Sequence, residues 1–284
     1  MTISELYLYP IKSLGGIAVP EAQVEERGFR YDRRYMLVGP SGKFITQRTH
    51  HQMALVDVAM AGNTLRVWHR HRPADVLTLP LAGPAEPPAD VLPVSIWDSP
   101  NVAAWPVSTD ADRWFTAALG KPCRLVYMPD TTRRPVETKH VPAALANPEP
   151  AVSFADGYPY LLVGQASLDD LNGRLEQPVE MKRFRPSIVV TGSAPYEEDD
   201  WHQFRVGDVT LYGVKPCGRC VLITIDPATG ESGDEPLRTL TSYRRAGRRI
   251  LFGQNVLPNP ATMGTLRVGQ PIDVVSRRQP RANS

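Results

Sequence analysis

The sequence predicts an α+β, β-rich fold: an antiparallel barrel or sandwich carrying a few short helices. Three observations point there. Short runs of β-branched, aromatic and leucine residues recur between Gly, Pro and Asn. Proline supplies 28 of the 284 residues, about twice the roughly 5% of average usage, and it is tolerated in loops, strand edges and first helical turns but not inside long helices. Only three segments keep a helical period, too few to alternate with the strands as a doubly wound parallel sheet demands.

From the N-terminus, residues 3–9, 35–39, 54–59, 64–69 and 76–81 read as strands joined by tight turns. Residues 83–93 hold several prolines and no periodicity, which predicts a surface loop and a candidate seam. A helix follows, because Ala111, Trp114, Phe115, Ala118 and Leu119 share one face, Ser108 or Thr109 can cap its start, and Gly120 can end it. Residues 130–150, with Arg133-Arg134-Pro135 and Asn147-Pro148-Glu149-Pro150, form a long polar loop. Strand-like runs resume at 160–163, 187–191, 204–214, 221–226 and 271–275. Ser167 is expected to open a short helix, with Asp170 three residues on and Leu168, Leu171 and Leu175 on one face. Pro236 opens another, with Leu237, Leu240 and Tyr243 inward. A boundary near residue 120 divides the chain into domains 1–120 and 121–276 and leaves a polar tail, 277–284.

Composition excludes several functions. Lys and Arg total 32 against 30 Asp and Glu, a net charge of +2, too balanced for the basic footprint of a nucleic-acid binder. No run of 18 apolar residues occurs, which argues against a membrane span. The N-terminus lacks the charged, apolar and small-residue regions of a signal peptide. Three cysteines, Cys123, Cys217 and Cys220, suit a reducing, cytoplasmic setting.

The sharpest chemical feature is Lys215-Pro216-Cys217-Gly218-Arg219-Cys220. A Cys-x-x-Cys pair can be a zinc half-site, a dithiol redox centre, one metal-binding thiolate with a bystander, or two small cysteines at a strand start. Zinc wants four ligands, and no second paired motif supplies them. A thioredoxin-like dithiol places its first cysteine at a helix N-terminus. Here the alternation of Val221, Ile223 and Ile225 predicts a strand, ended by an Asp226–Gly230 turn. His50-His51 and His69-x-His71 lack accompanying carboxylates or cysteines at ligand spacing and read as surface histidines. On the residues alone, Lys12 reads as a solvated loop lysine, Arg33-Arg34 as an exposed strand-end pair, Ser167 as a helix cap and Lys182-Arg183 as a surface patch.

In wider context, Val214–Gly230 resembles the signature of the MOSC family, molybdenum cofactor domains related to the C-terminal part of molybdenum cofactor sulfurase. Tyr9-Pro10-Ile11-Lys12-Ser13, Tyr31-Asp32-Arg33-Arg34-Tyr35, Phe154–Pro159, Phe184–Val189 and Leu251–Asn255 are similar, in order, to motifs of the mitochondrial amidoxime-reducing component and its bacterial relatives. The resemblance implies a MOSC β-barrel domain preceded by a β-rich MOSC-associated domain. It implies a molybdenum cofactor, a single Mo-pyranopterin, with Cys220 as catalytic metal ligand and Cys217 as bystander; Cys123 is expected to pack in a core.

A pyranopterin bears a phosphate and hydrogen-bonding heterocycles, so its pocket wants cations and short polar groups. Lys12, Ser13, Arg33, Arg185 and Ser187 match cofactor-holding positions, and Asp156, Ser167, Gly218 and Asn255 match further pocket positions. Asn255, Ser187 and Gly218 stand where some mitochondrial relatives have tyrosine, asparagine and serine. The implied activity is reduction of N-hydroxylated small molecules (amidoximes, hydroxylamines, N-hydroxylated nucleobases), a detoxifying role. Electrons would come from a separate ferredoxin-like, cytochrome b5-like or flavin reductase donor, since three cysteines cannot furnish a four-cysteine iron–sulfur site. The alternative is a carrier of the cofactor or of sulfur, without turnover of its own.

Overall fold

The computed structural model describes residues 1–278. A nine-stranded sheet dominates it. Eight strands follow the order Asp273–Arg277, Trp201–Val206, Val209–Arg219, Arg249–Pro258, Tyr160–Gly164, Ile188–Thr191, Thr2–Leu8 and Ile17–Val19, and Arg245–Ala246 adds onto Arg249–Pro258. Neighbours are antiparallel except Tyr160–Gly164 beside Ile188–Thr191. A parallel pair needs a crossover long enough for a helix, and helix α2, Gln165–Asn172, occupies it.

The sheet curls toward closure. Ile3 N–H donates to Gln270 O, Ile272 N–H donates to Met1 O, and Thr2 bridges Pro271, so the N-terminal strand also meets the segment leading into the far edge strand. Leu6, Phe29, Tyr160, Leu162, Trp201 and Phe204 fill the interior. The central strands, Tyr160–Gly164 and Ile188–Thr191 among them, are buried on both faces, which explains continuous apolar runs such as Ile188-Val189-Val190. The result is the barrel-like, strand-rich architecture that the sequence predicts.

A second core lies under the sheet of Tyr35–Val38, Arg124–Tyr127, Ser99–Pro106 and Leu92–Ile96 and the meander Val56–Ala61, Thr64–His69, Arg72–Pro80. Helix α1, Thr109–Leu119, covers it with Ala111 and Phe115. Ser108 Oγ accepts from Ala111 N–H at 3.1 Å, and Gly120 closes the helix at φ +62°, as its sequence predicts. Cys123 is buried in this core against Thr116.

Four local expectations are corrected. The 204–214 run is a hairpin, because Gly207 at φ +56° turns the chain between Trp201–Val206 and Val209–Arg219. The 221–226 run is no strand: Val221–Thr224 forms one 3-10 turn, in which Thr224 Oγ1 donates to Val221 O at 2.9 Å. Six alternating residues fit one such turn as well as a short strand, and a threonine bonding back to the backbone favours the turn. Ser167 does not open α2; Gly164 takes the N-cap, and Ser167 lies inside with its hydroxyl on buried Glu198. His69 is buried and packs its ring against His71, rather than lying on the surface. The Asp226–Gly230 turn forms as expected, with Asp226 Oδ1 accepting from Ala228 N–H. α3, Leu237–Tyr243, follows Pro236. Arg277 ends the last strand, and residues 279–284 of the expected tail lie outside the described residues. Among the described residues no helix is long and apolar enough to cross a membrane.

One glycine holds the central strands together at close range. A Cβ on Gly213 would lie 2.2 Å from Trp201 O and 2.8 Å from Gln254 Nε2. Gly213→Ala should therefore cost about 2–3 kcal/mol of unfolding free energy. A denaturant titration checks this, and an unchanged midpoint would show that the strands separate freely.

Candidate active-site cleft

Two irregularities in one strand pair shape the cleft. Val209–Arg219 pairs with Arg249–Pro258, but the register shifts between Gly213 and Lys215 and again between Pro216 and Gly218. The second shift places an extra residue on the partner strand, where Gly253 takes φ +78°. A side chain there would meet Val163 Cγ2 at 2.8 Å and Leu162 O at 2.9 Å. Bulges re-aim side chains, and this pair carries Cys217 and Asn255 to the wall of one cleft. The strand ends at Arg219, and Cys220 then caps the 3-10 turn Val221–Thr224.

An inner recess of about 130 Å³ opens onto a groove of about 910 Å³; Arg48, Asp156, Tyr158, Cys217, Arg219 and Asn255 line both. Among the described residues the recess gathers five cations, Lys12, Arg33, Arg48, Arg185 and Arg219, against a single carboxylate, Asp156. Two thiols, Cys217 and Cys220, face the same space. Arg219 Nη1 donates to Cys217 Sγ at 3.4 Å and its Nη2 to Phe184 O at 2.7 Å. Cys220 is half-buried, and among the described residues no hydrogen bond engages its sulfur.

Lys12 is buried, not solvated. Its Nζ donates to Phe154 O at 2.9 Å and to Asp156 Oδ1 at 2.5 Å. Burial pulls the ammonium down to about 8, Asp156 opposes that, and Arg134 and Arg48 reinforce it. Desolvation alone would push half-exposed Asp156 up, but Lys12 and Arg48, with hydrogen bonds from Lys12 and Trp97, hold it well below the usual carboxylate range. Arg48 Nη2 reaches Asp156 Oδ2 at 2.8 Å, and its Nε is buried without a partner among the described residues.

Arg33 and Arg185 lie 4.4 and 4.3 Å from the Tyr9 ring centre, within cation–π range. Arg33 pairs with buried Asp32, which also accepts from Tyr9 N–H at 2.7 Å. Arg185 Nη1 donates to Leu14 O at 2.6 Å, and burial lowers its guanidinium to about 10. Ser13, Arg33 and Arg185 all take positive φ, +67°, +49° and +55°. Three non-glycine residues in this conformation around one recess are backbone strain of the kind that concentrates at functional sites.

Of the residues singled out in the sequence, Lys12, Ser13, Arg33, Asp156, Arg185, Cys217, Gly218, Cys220 and Asn255 line the recess. Ser187 lies behind this wall, its Oγ 3.4 Å from Arg33 Nη1 and accepting from Leu161 N–H at 3.4 Å. Ser167 does not join them, since its hydroxyl is committed to Glu198. Arg33 and Arg34 are both largely buried rather than exposed, and Arg34 points away, binding Met128 O and Asp130. The supposed surface patch contains Arg183, which is mostly buried and paired with Asp226 at 3.0 Å.

Sequence reasoning missed Arg48, Trp97, Arg134 and Arg219. Arg134 is buried and gives Nη1 to Ser153 O and Ala155 O and Nη2 to Asp156 O. It thereby shapes the 153–156 segment that presents Asp156. Its placement in the Pro-rich 130–150 segment gave no periodic signal. Among the described residues no group of three or more His, Cys, Asp or Glu could hold a metal on its own. A site of cations and soft sulfur suits a ligand that brings its own anionic group and a thiophilic metal.

Two family models match the chain, the MOSC N-terminal beta barrel domain over residues 1–122 and the MOSC domain over residues 149–273. Mitochondrial amidoxime-reducing component 1 of Mus musculus is 35% identical, with 95% of this chain and 81% of that protein aligned. The Homo sapiens protein of the same name is also 35% identical, over 95% and 82%. Molybdenum cofactor sulfurase of Arabidopsis thaliana is 30% identical over 88% of this chain and 32% of its own length.

The Lys12 shift yields a pH dependence. With its ammonium near 8, Lys12 is charged at pH 7 and mostly neutral at pH 9, while Asp156 stays ionised. Affinity for sulfate, whose own charge is constant there, should fall about tenfold from pH 7 to 9. Calorimetric titration checks it, and Lys12→Met should bind weakly with a flat profile; an equal slope in that variant would assign the titration to another group.

Proposed function

The chain belongs to the MOSC family, and on that premise we propose that it is a molybdenum cofactor-dependent reductase of N-hydroxylated small molecules, amidoximes and hydroxylamines among them. One observation carries the reading beyond membership: a single recess brings two thiols together with five cations and one carboxylate. This donor set fits a group that combines a thiophilic metal with a phosphate, and the partnerless Arg48 Nε adds a buried donor. Whole-length similarity to amidoxime-reducing proteins supports the substrate class.

In this reading Cys220, the position that the resemblance to the family assigns, supplies the thiolate to the metal; among the described residues no hydrogen bond engages its sulfur, whereas Cys217 Sγ accepts from Arg219. Arg33 and Arg185, held over Tyr9, present guanidinium donors suited to phosphate. The bound cofactor supplies the two-electron, oxygen-accepting chemistry that no side chain of the cleft provides. Overall, an N–OH group, two electrons and two protons give N–H and water. Lys12 Nζ, still protonated at pH 7 but lowered to about 8 by burial, can hand one of those protons inward. The outer groove admits the substrate, and electrons arrive from a separate donor.

Substitution of the two cysteines tests this. Cys220→Ala should lose both bound molybdenum and N-reduction. Cys217→Ala should keep the metal, with a modest rate change and about 0–2 kcal/mol of stability lost. Metal analysis and turnover at matched folded fraction decide between the readings. Equal loss of activity with the metal retained in both variants indicates a dithiol mechanism, and an active Cys220→Ala protein overturns the proposed ligand. Release of cofactor to an apo-acceptor without turnover by the unmodified protein would establish the carrier alternative.

A further inference from the structure

The hairpin between Leu92–Ile96 and Ser99–Pro106 turns through Trp97 and Asp98, and Trp97 takes φ +49°. The first position of a two-residue hairpin turn with positive φ is ordinarily glycine, since a Cβ is crowded there and a bulky side chain fits worst. Core packing does not account for tryptophan, whose side chain is 41% exposed. The indole is nonetheless fixed. Its Nε1–H donates to Asp156 Oδ1 at 3.1 Å, the Arg48 guanidinium lies 4.2 Å from its ring centre, and the Phe44 ring lies 4.7 Å away.

This held, exposed ring lines the outer groove, whose wall is otherwise rich in charged groups such as Arg134, Glu137, Lys215 and Arg249. Tyr158, the other aromatic residue of that wall, is buried to 6% exposure with Lys215 over its ring. Trp97 is therefore the groove's one exposed aromatic surface among the described residues. Asp156 joins it directly to Lys12 in the recess.

Resting on the reductase reading, we propose that Trp97 sets substrate preference: its indole stacks a flat, conjugated N-hydroxylated compound in the outer groove, with the N–OH end directed past Asp156 into the recess. Aliphatic hydroxylamines have no π face to offer and gain nothing from it. Stacking of a heteroaromatic ring on an aromatic side chain is favourable and tolerant of ring identity.

The experiment compares kcat/KM for 6-N-hydroxylaminopurine with that for N-methylhydroxylamine, in the cofactor-loaded protein. Trp97→Asn removes the ring with a residue that tolerates left-handed backbone; Trp97→Gly replaces it if that variant fails to fold. Trp97→Phe keeps a ring but loses the Nε1–H donor. The purine-to-aliphatic ratio should fall about tenfold in the ringless variant, mainly through KM, and be largely retained in Trp97→Phe. An unchanged ratio without the ring overturns the proposal. So does an equal fall in Trp97→Phe, which would mean that the indole acts only through Asp156. Calorimetric binding of adenine, the flat product amine, separates this inference from the reductase reading. Adenine binding that weakens about tenfold without the ring upholds the stacking role even if no N-hydroxylated compound is reduced, and binding indifferent to the ring refutes it whatever the turnover.

Discussion

Withdrawing several cations from water around one recess is the constraint on which the rest of this structure depends. A buried charge without partners is strongly disfavoured, so each must be satisfied from within the chain while keeping donors directed into the cleft. Lys12 is held by Phe154 O and Asp156, Arg33 by Asp32, Arg185 by Leu14 O, Arg219 by Phe184 O. Arg134, farther back, satisfies three carbonyls and is brought down to about 10 by burial. Apart from the neighbouring Arg33–Asp32 pair, each bond ties one segment to another distant in sequence, so the charge network and the loop conformations stabilise each other. Strain at Ser13, Arg33 and Arg185 persists because those loops are over-determined.

Topology delivers these loops to one place. The strand Thr2–Leu8 extends the sheet formed by residues 160–277, between Ile188–Thr191 and Ile17–Val19, so Lys12 and Ser13, just beyond its end, emerge beside Arg185, three residues before Ile188–Thr191. The antiparallel register of these strands, Leu6 opposite Ile188, fixes that adjacency. Asn255 arrives from the neighbour of Tyr160–Gly164 and Cys217 from the next strand along. A cleft assembled from residues 12 to 255 is thus a consequence of strand order and two bulges, and a register slip would turn these side chains to other faces.

Much of this was legible in the sequence where a local rule dominates. Helix α1 has its cap, its apolar face and its terminal glycine in one continuous stretch, and tertiary contacts only reinforce them. Residues 221–226 were misread because period two over six residues does not distinguish a strand from a single 3-10 turn. Ser167 resembles a helix cap by type, but a buried carboxylate 31 positions away, Glu198, takes its hydroxyl. Most of the recess was legible because its residues sit in short motifs such as Tyr9–Ser13 and Leu251–Asn255. Arg48, Trp97 and Arg134 were not, since their roles arise from contacts across long separations, Arg48 and Trp97 each meeting Asp156.

The lining of the cleft changes with depth. Inside, cations and sulfur predominate; outside, a fixed indole stands among mixed charges. Asp156 lies at the boundary and bonds in both directions, to Lys12 inward and to Arg48 and Trp97 outward. Moving Asp156 would release both an inner cation and an outer ring, so this one carboxylate couples the two parts of the lining. That coupling explains the demand on Arg134, a buried guanidinium with no contact to the thiols, which holds the backbone at Ser153, Ala155 and Asp156. Its three carbonyl bonds place the carboxylate where both halves of the cleft require it.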